Sequence, residues 1–399
     1  MSAASTRASL AFSSIGHAYA HLFEPIFYIV VLVLPGEFGM PYEEALALII
    51  AGKLMFGLAA PLAGWLGDRW STVGMMAVFF LGLGAAAVLT GLAATPLQMG
   101  LALTLLGLFG SIYHPVGVAW LVRIAVNRGK ALGINGVFGG LGPAVAGLIA
   151  GALIEVAGWR WAFILPGAAV LLTGIVFVAM TARGLLVEAK VDRKPEPPAS
   201  RADAVRASIV LSATMLCGGL VFQATQAALP KLFEMRLGDD VGVLGVGGAV
   251  MIVYLIAGLS QVLSGHLADR YPLKAVYVGA YLAQIPLLFL AAGLSGLPLV
   301  LVAVMMVSFN MAGIPAENVL LARYAPPRWR GTAFGMKYVL SFGVSGLGVP
   351  LVSLIHGATG ELYWLFVLLA GLAGAVAAMG MFLPSESAVE AKPATAPAE

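Results

Sequence analysis

The 399 residues are 60% hydrophobic and only 10% charged, with a formal net charge of +3 and a mean hydropathy of +0.97, which excludes an ordinary water-soluble globule. The single cysteine, Cys217, excludes an intramolecular disulfide and reads as a small buried hydrophobe. Basic residues are scattered between apolar runs rather than gathered in one patch, so no nucleic-acid partner is expected.

A bilayer core of roughly 30 Å asks for roughly 20 apolar residues per helix, and such runs recur along the whole chain. They lack the alternation of barrel strands, and the 50 glycines suit close helix packing in lipid, so an all-α membrane protein is predicted. Predicted spans are 10–34, 43–67, 74–94, 97–122, 129–156 and 161–182, then 208–233, 241–268, 273–294, 297–322, 331–357 and 360–383. The first could pass for a signal peptide, but it continues for about 25 residues without a cleavage site and is read as a span.

In that first span His17, His21, Glu24 and Tyr28 are spaced by four, three and four residues and share one helical face. An ionisable group at this depth faces a cavity or a partner, and Pro25 beside the acid removes a backbone donor. This face is predicted to line a central cavity, with Glu24 or a histidine carrying a proton; the alternative for each histidine is a hydrogen bond between helices. Lys53, mid-way along the second span, either pairs with Glu24 or another acid, binds an anionic substrate, or loses its proton. His114 precedes Pro115 in the fourth span. The fifth holds Gly136, Gly139, Gly140, Gly142, Pro143 and Gly147, where small residues admit close neighbours and Pro143 is expected to bend the helix.

Residues 183–207, with several Lys, Arg and Pro, form the long linker between an N-terminal bundle (1–182) and a C-terminal bundle (208–384); a low-complexity tail, 385–399, follows. In the second bundle, Glu317 follows Pro315 and has Asn310 and Asn318 on the same helix. Glu317 either pairs with His114 across the cavity or with Arg323 or Lys337 as a structural ion pair, whereas Lys337 is expected to snorkel to a surface. Lys and Arg cluster on alternate connections, which places both termini and the linker in the cytoplasm.

Gly64-Trp-Leu-Gly-Asp68-Arg69-Trp70 returns as Gly265-His-Leu-Ala-Asp269-Arg270-Tyr271. His114-Pro115 with Arg123 is echoed by Ile314-Pro315 with Arg323, and Arg128-Gly129-Lys-Ala-Leu-Gly133 by Arg330-Gly331-Thr-Ala-Phe-Gly335. Three matches in one order imply a parallel duplication: twelve helices in two six-helix bundles around a central site. A carboxylate at either place can neutralise the positive end of a neighbouring helix, worth about 0.3–1 kcal/mol when exposed; the alternative is a solvated turn charge.

These paired loops and the six-plus-six plan resemble the major facilitator superfamily over essentially the whole chain. Ser-Ile-Gly-His17 through His21-Leu-Phe-Glu24, with Ser111-Ile-Tyr-His114-Pro115, looks like the fosmidomycin-resistance branch of bacterial drug exporters. The resemblance implies that, with the cytoplasmic gate shut, Asp68 locks onto the start of the eleventh helix near Gly331 and Asp269 onto the start of the fifth near Gly129. Gly139, Gly142 and Pro143 resemble the antiporter motif of exporters.

No phosphate-binding Gly-x-x-x-x-Gly-Lys-Ser/Thr loop, no Gly-x-Ser-x-Gly turn and no His/Asp/Glu cluster with metal spacing is present, so ATP hydrolysis, enzymatic chemistry and a metal site are not expected. The expectation is a monomeric secondary transporter of the cell inner membrane with no cofactor, drawing on a proton gradient to export a small organic solute. The rival is a proton-coupled importer or exchanger of an organic anion, with Lys53 and the histidines as ligands.

Overall fold

The computed structural model describes residues 3–125, 128–186, 200–238, 241–325 and 330–384, and every regular element among them is helical. The first predicted span is built from three pieces, α1 (Ala3–Ala20), α2 (Phe23–Val30) and α3 (Leu34–Phe38). Pro25 cannot donate to the carbonyl of His21, and the chain tightens there into i to i−3 bonds, His21 N to Ala18 O and Leu22 N to Tyr19 O, both 3.3 Å. The second comprises α4 (Tyr42–Ala47), α5 (Ile50–Leu58) and α6 (Ala60–Arg69), bent by 41° where Pro61 leaves the carbonyl of Gly57 without a helical donor.

Helix α7 (Thr72–Gly91) starts on Ser71, whose Oγ accepts from Gly74 N at 2.9 Å, and α8 (Pro96–Gly110) on Thr95, which accepts from Gln98 N at 3.2 Å. After α8 the chain widens into a π turn, Tyr113–Gly117, around Pro115 and re-tightens as α9 (Val118–Ile124). The long helices α10 (Arg128–Ala157) and α11 (Trp161–Ala182) complete the first half. Helix α10 runs through Pro143 without interruption, whereas the chain breaks or widens beside Pro25, Pro61 and Pro115.

The second half holds α12 (Arg201–Arg236), α13 (Gly242–Arg270), α14 (Leu273–Gly293) and α15 (Gly296–Tyr324). Its next path is α16 (Arg330–Tyr338), a π turn over Val339–Gly343, a tight turn over Val344–Leu347 and α17 (Gly348–Thr359); α18 (Tyr363–Gly380) ends the bundle. Helix α12 begins seven residues before the span predicted at 208, because Ser200 caps it by accepting from Asp203 N at 3.1 Å.

Ten paths among the described residues are long and apolar enough to cross a membrane, and the bent α4–α6 path makes eleven. The broken first segment is the twelfth predicted span and is too interrupted to count as one long apolar helix. Outward-facing Leu97, Leu172, Leu301 and Leu354 are all strongly exposed, a surface that suits acyl chains and not water.

The halves meet along two seams where backbone approaches backbone. On α10 against α13, a Cβ added at Gly147 would stand 2.6 Å from the carbonyl oxygen of Gly247. On α5 against the π turn before α17, a Cβ at Gly57 would stand 2.1 Å from the nitrogen of Gly343. Only glycine allows either approach. At the end of the molecule opposite the start of α1 the halves are also bonded by side chains: Glu43 Oε1 to His356 Nδ1 at 2.5 Å, and Glu155 Oε1 accepting from Leu244 N at 3.1 Å. Lys231 adds a cation over the Tyr42 ring at 4.9 Å.

Candidate functional site

Polar residues of the first span converge where α1 and α2 run between α5, the π turn of the fourth span and α10. Glu24 Oε1 accepts from Lys53 Nζ at 2.5 Å and from the Tyr28 hydroxyl at 3.0 Å, so one carboxylate oxygen gathers both donors. The Lys53 side chain is 2% exposed and that of Glu24 19%. A lone ammonium at that depth would be costly; the ion pair is what makes Lys53 tolerable there. Of the four readings open for Lys53, the fold shows pairing with Glu24. Lys53 also lies on the seam between halves, since a Cβ at Gly346 would stand 3.1 Å from its own Cβ.

One turn earlier, His17 and His21 meet His114. His114 Nε2 lies 3.1 Å from His21 Nε2, and His17 Nδ1 lies 2.8 Å from the backbone carbonyl of Asn135. A carbonyl only accepts, so His17 Nδ1 carries the proton and Nε2 of the neutral ring is a bare lone pair. A polar chain fixes this arrangement: Asn135 Nδ2 donates to the Tyr113 hydroxyl at 2.7 Å, Tyr113 donates to Ser13 O at 2.8 Å, and Ser13 Oγ donates to Gly117 O at 3.0 Å. The rings are walled by aromatics, with His17 stacked on Tyr113 at 4.9 Å and His114 stacked on Tyr338 and Phe342 at 4.8 and 5.2 Å. The two π turns therefore face one another across the seam.

The glycines of α10 make room for the site. A Cβ at Gly139 would stand 2.4 Å from His17 Cε1, and one at Gly142 2.4 Å from the carbonyl oxygen of Ala18. Their place in the fold is a groove that lets α1 and its imidazoles lie against α10, with Pro143 inside the same stretch.

Glu317 does not meet His114. Its Oε1 pairs with Lys337 Nζ at 2.8 Å, its Oε2 accepts from Tyr277 at 3.2 Å, and Lys337 also donates to Asn318 at 2.6 Å. Lys337, expected to reach a surface, is instead 7% exposed, because burying it beside Glu317 satisfies both charges. Asn310 lies two turns away, donating to Gln284 Oε1 at 3.5 Å. Each half thus carries one buried Glu–Lys pair with a tyrosine on the acid: Glu24, Lys53 and Tyr28 in the first, Glu317, Lys337 and Tyr277 in the second.

The repeated loops lie at the ends of α6 and α13. Asp68 Oδ1 accepts from Arg123 Nη2 at 2.6 Å, tying the second span to the fourth within one half, and Arg69 sits 5.8 Å from the Trp65 ring. Asp269 and Arg270 are exposed at the end of α13. The contacts expected near Gly129 and Gly331, and the side chains of Arg128 and Arg330, lie outside the described residues.

Asn135, Tyr113, Tyr338 and Phe342 belong to the site and were not anticipated. Asn135 and Tyr113 had a signal, polar atoms within apolar spans, whereas nothing in the pattern distinguished Tyr338 or Phe342 from packing residues.

The sequence profile of the Major Facilitator Superfamily matches residues 12–336, and a second match covers 240–398. The chain belongs to the Major Facilitator Superfamily. It is a multi-pass membrane transporter and not an enzyme. The transporter is 34% identical over 139 residues to puromycin resistance protein pur8 of Streptomyces alboniger, a stretch covering 33% of this chain and 28% of that one, so the match spans less than a third of the relative. Its fold is similar to that of a bacterial homolog of the human lysosomal transporter Spinster, at a TM-score of 0.71 and 16% identity over 96% of this chain and 95% of that one. Peptide transporter POT in complex with sulfate gives 0.73 and 16%, covering 94% and 92%.

Proposed function

We propose that this transporter is a proton-coupled exporter of a small organic solute, working by alternating access between two six-helix halves, with Glu24 as the proton carrier. The observation that carries the reading is the buried Glu24–Lys53–Tyr28 cluster placed on the seam that must open and close. With Glu24 ionised, Lys53 is held by it; with Glu24 protonated, the pair dissolves and Lys53 loses its partner beside Gly346 of the other half. A proton and a solute competing for this cluster would then favour different arrangements of the seam. The one charged group facing Glu24 is Lys53 from α5; the neutral phenols of Tyr28, from its own helix, and Tyr254, from α13, complete the titratable groups around it.

Export, rather than import, is supported by the likeness to a puromycin resistance protein and by the glycine-lined groove of α10, which resembles the antiporter motif. The residues quoted for the fosmidomycin-resistance branch, His17, His21, Glu24 and His114, gather at this same place. The termini and the linker are read as cytoplasmic, which makes the end closed by Glu43 and His356 the outer one. A single chain supplies both halves and so suffices as the working unit.

Puromycin is the first probe, in proteoliposomes with an imposed pH gradient. Acidification inside the vesicles should drive uptake, and Glu24→Gln should abolish the gradient's effect while leaving solute exchange at equal pH. A gradient without effect on the wild type, or one that drives the Glu24→Gln variant equally well, refutes the reading. Uptake coupled to inward proton flow would favour the organic-anion importer, for which Lys53 is the ligand.

A further inference from the structure

The three imidazoles of His17, His21 and His114 present ligand atoms that all lie within 4.8 Å of one another. From this geometry we infer that the junction of the first and fourth spans is a binding site for a late first-row divalent metal ion of the zinc, nickel or cobalt type. The inference is independent of the direction and coupling of transport.

Metal–imidazole bonds of about 2.0–2.1 Å in a tetrahedron put the ligand nitrogens about 3.3 Å apart. The His21 and His114 Nε2 atoms, at 3.1 Å, already stand at nearly that separation. The third nitrogen needs an approach of at most about 1.5 Å, which side-chain rotation supplies. The two Nε2 atoms face each other in a hydrogen bond, so one of them carries the proton; when an ion enters, that proton moves to Nδ1 of the same ring and rotation of the two rings turns both lone pairs to the metal.

The surroundings are those of a ligand site rather than of a packed core. His17 Nδ1 is held by the Asn135 carbonyl at 2.8 Å, the kind of outer partner that orients a metal-binding imidazole and exposes its other nitrogen. That carbonyl is fixed in turn by the Asn135–Tyr113–Ser13 chain. Gly139 clears the space His17 occupies. Two ammonium groups stand nearby and would repel an ion, but each is matched by a carboxylate: Lys53 by Glu24 at 2.5 Å and Lys337 by Glu317 at 2.8 Å. The ligand set is all imidazole, with no carboxylate among the described members, which favours zinc, nickel or cobalt over magnesium or calcium. Three protein ligands leave a fourth position for water, the arrangement of an exchangeable rather than a sealed structural site.

The test is a titration of the purified full chain in detergent with Co2+, followed by its visible absorption, with Zn2+ as competitor. The wild type should take up one equivalent per chain, develop the intense bands of a four-coordinate cobalt centre and lose them to one equivalent of Zn2+. Each of His17→Ala, His21→Ala and His114→Ala should weaken binding at least tenfold, while His266→Ala, at the exposed end of α13, should not change it. Near-wild-type thermal unfolding without metal identifies folded variants; where an alanine variant does not fold, the glutamine variant takes its place. Absence of the bands in the wild type, or retention of full affinity in folded His21 and His114 variants, overturns the inference. Equilibrium binding needs no gradient, so a chain that exports puromycin but does not bind Co2+ refutes only the metal site.

Discussion

The ion pair between Lys53 and Glu24 allows a quantitative test of the site. Replacing Lys53 with Met removes the ammonium and leaves a largely buried carboxylate with the Tyr28 hydroxyl as its remaining donor. Two unit charges about 4 Å apart at an effective dielectric constant of about 20 attract by about 4 kcal/mol. The loss has a ceiling, because the stranded acid can take up a proton: neutralising an ordinary glutamic acid at pH 7 costs about 3.7 kcal/mol. Removing one partner of a buried pair typically costs 3–5 kcal/mol, so the two routes converge on a loss of about 3–4 kcal/mol for Lys53→Met. Glu24→Gln should cost a similar amount, since it strands the ammonium, while the double variant should return to within about 1 kcal/mol of the wild type. The four proteins of this cycle, unfolded reversibly in mixed micelles at pH 7, should show a coupling of at least about 5 kcal/mol. Additive losses, with the double variant as unstable as the sum of the singles, would show that the two groups do not depend on one another and would remove the basis of the proposed coupling.

Gly57→Val should push α5 off the π turn at Gly343, because its Cβ alone would stand 2.1 Å from that backbone nitrogen; overpacking of this kind costs about 1–3 kcal/mol, and cross-linking across the seam would report the separation. Gly139→Val should displace His17 from Asn135 for the same steric reason and lower both stability and Co2+ affinity, whereas Gly133→Val, where an added Cβ meets nothing, should change neither. Arg236→Ala removes a guanidinium that donates to Ala292 O at 2.6 Å and to Glu361 at 2.9 Å and should cost about 2 kcal/mol, most of it from the carbonyl bond. The same Arg236 holds the Glu361 carboxyl below the usual carboxylate range, so that pair's contribution is present above the ordinary carboxylate pKa and is lost as the pH falls through the lowered one. Because Glu361 is half exposed, Glu361→Gln should remove only about 0.5 kcal/mol at pH 7 and flatten that pH dependence, read from unfolding midpoints between pH 3 and 7.

Amino-acid order alone determined that this chain is helical, lipid-embedded and duplicated, because hydropathy runs and repeated Asp-Arg loops are local properties that lipid converts directly into spans. It also grouped His17, His21, Glu24 and Tyr28 by the helical period, although the fold breaks that helix between Ala20 and Phe23 and divides the histidines from the acid and its tyrosine. What it left open was decided by packing. Lys53 had several acceptable partners until the fold set its ammonium on Glu24, and Glu317 likewise until Lys337 was carried to it through the eleventh span. His114 joined His21 from 93 positions away, a meeting that depends on how α1, α10 and the fourth span nest and that no spacing rule encodes. The kinks show the same division: several prolines sit in apolar spans, but Pro143 rides in an unbroken α10 while Pro25, Pro61 and Pro115 stand at breaks or widened turns. A missing backbone donor is written in the sequence; whether the neighbouring helices bridge the gap or exploit it is a matter of three-dimensional contact.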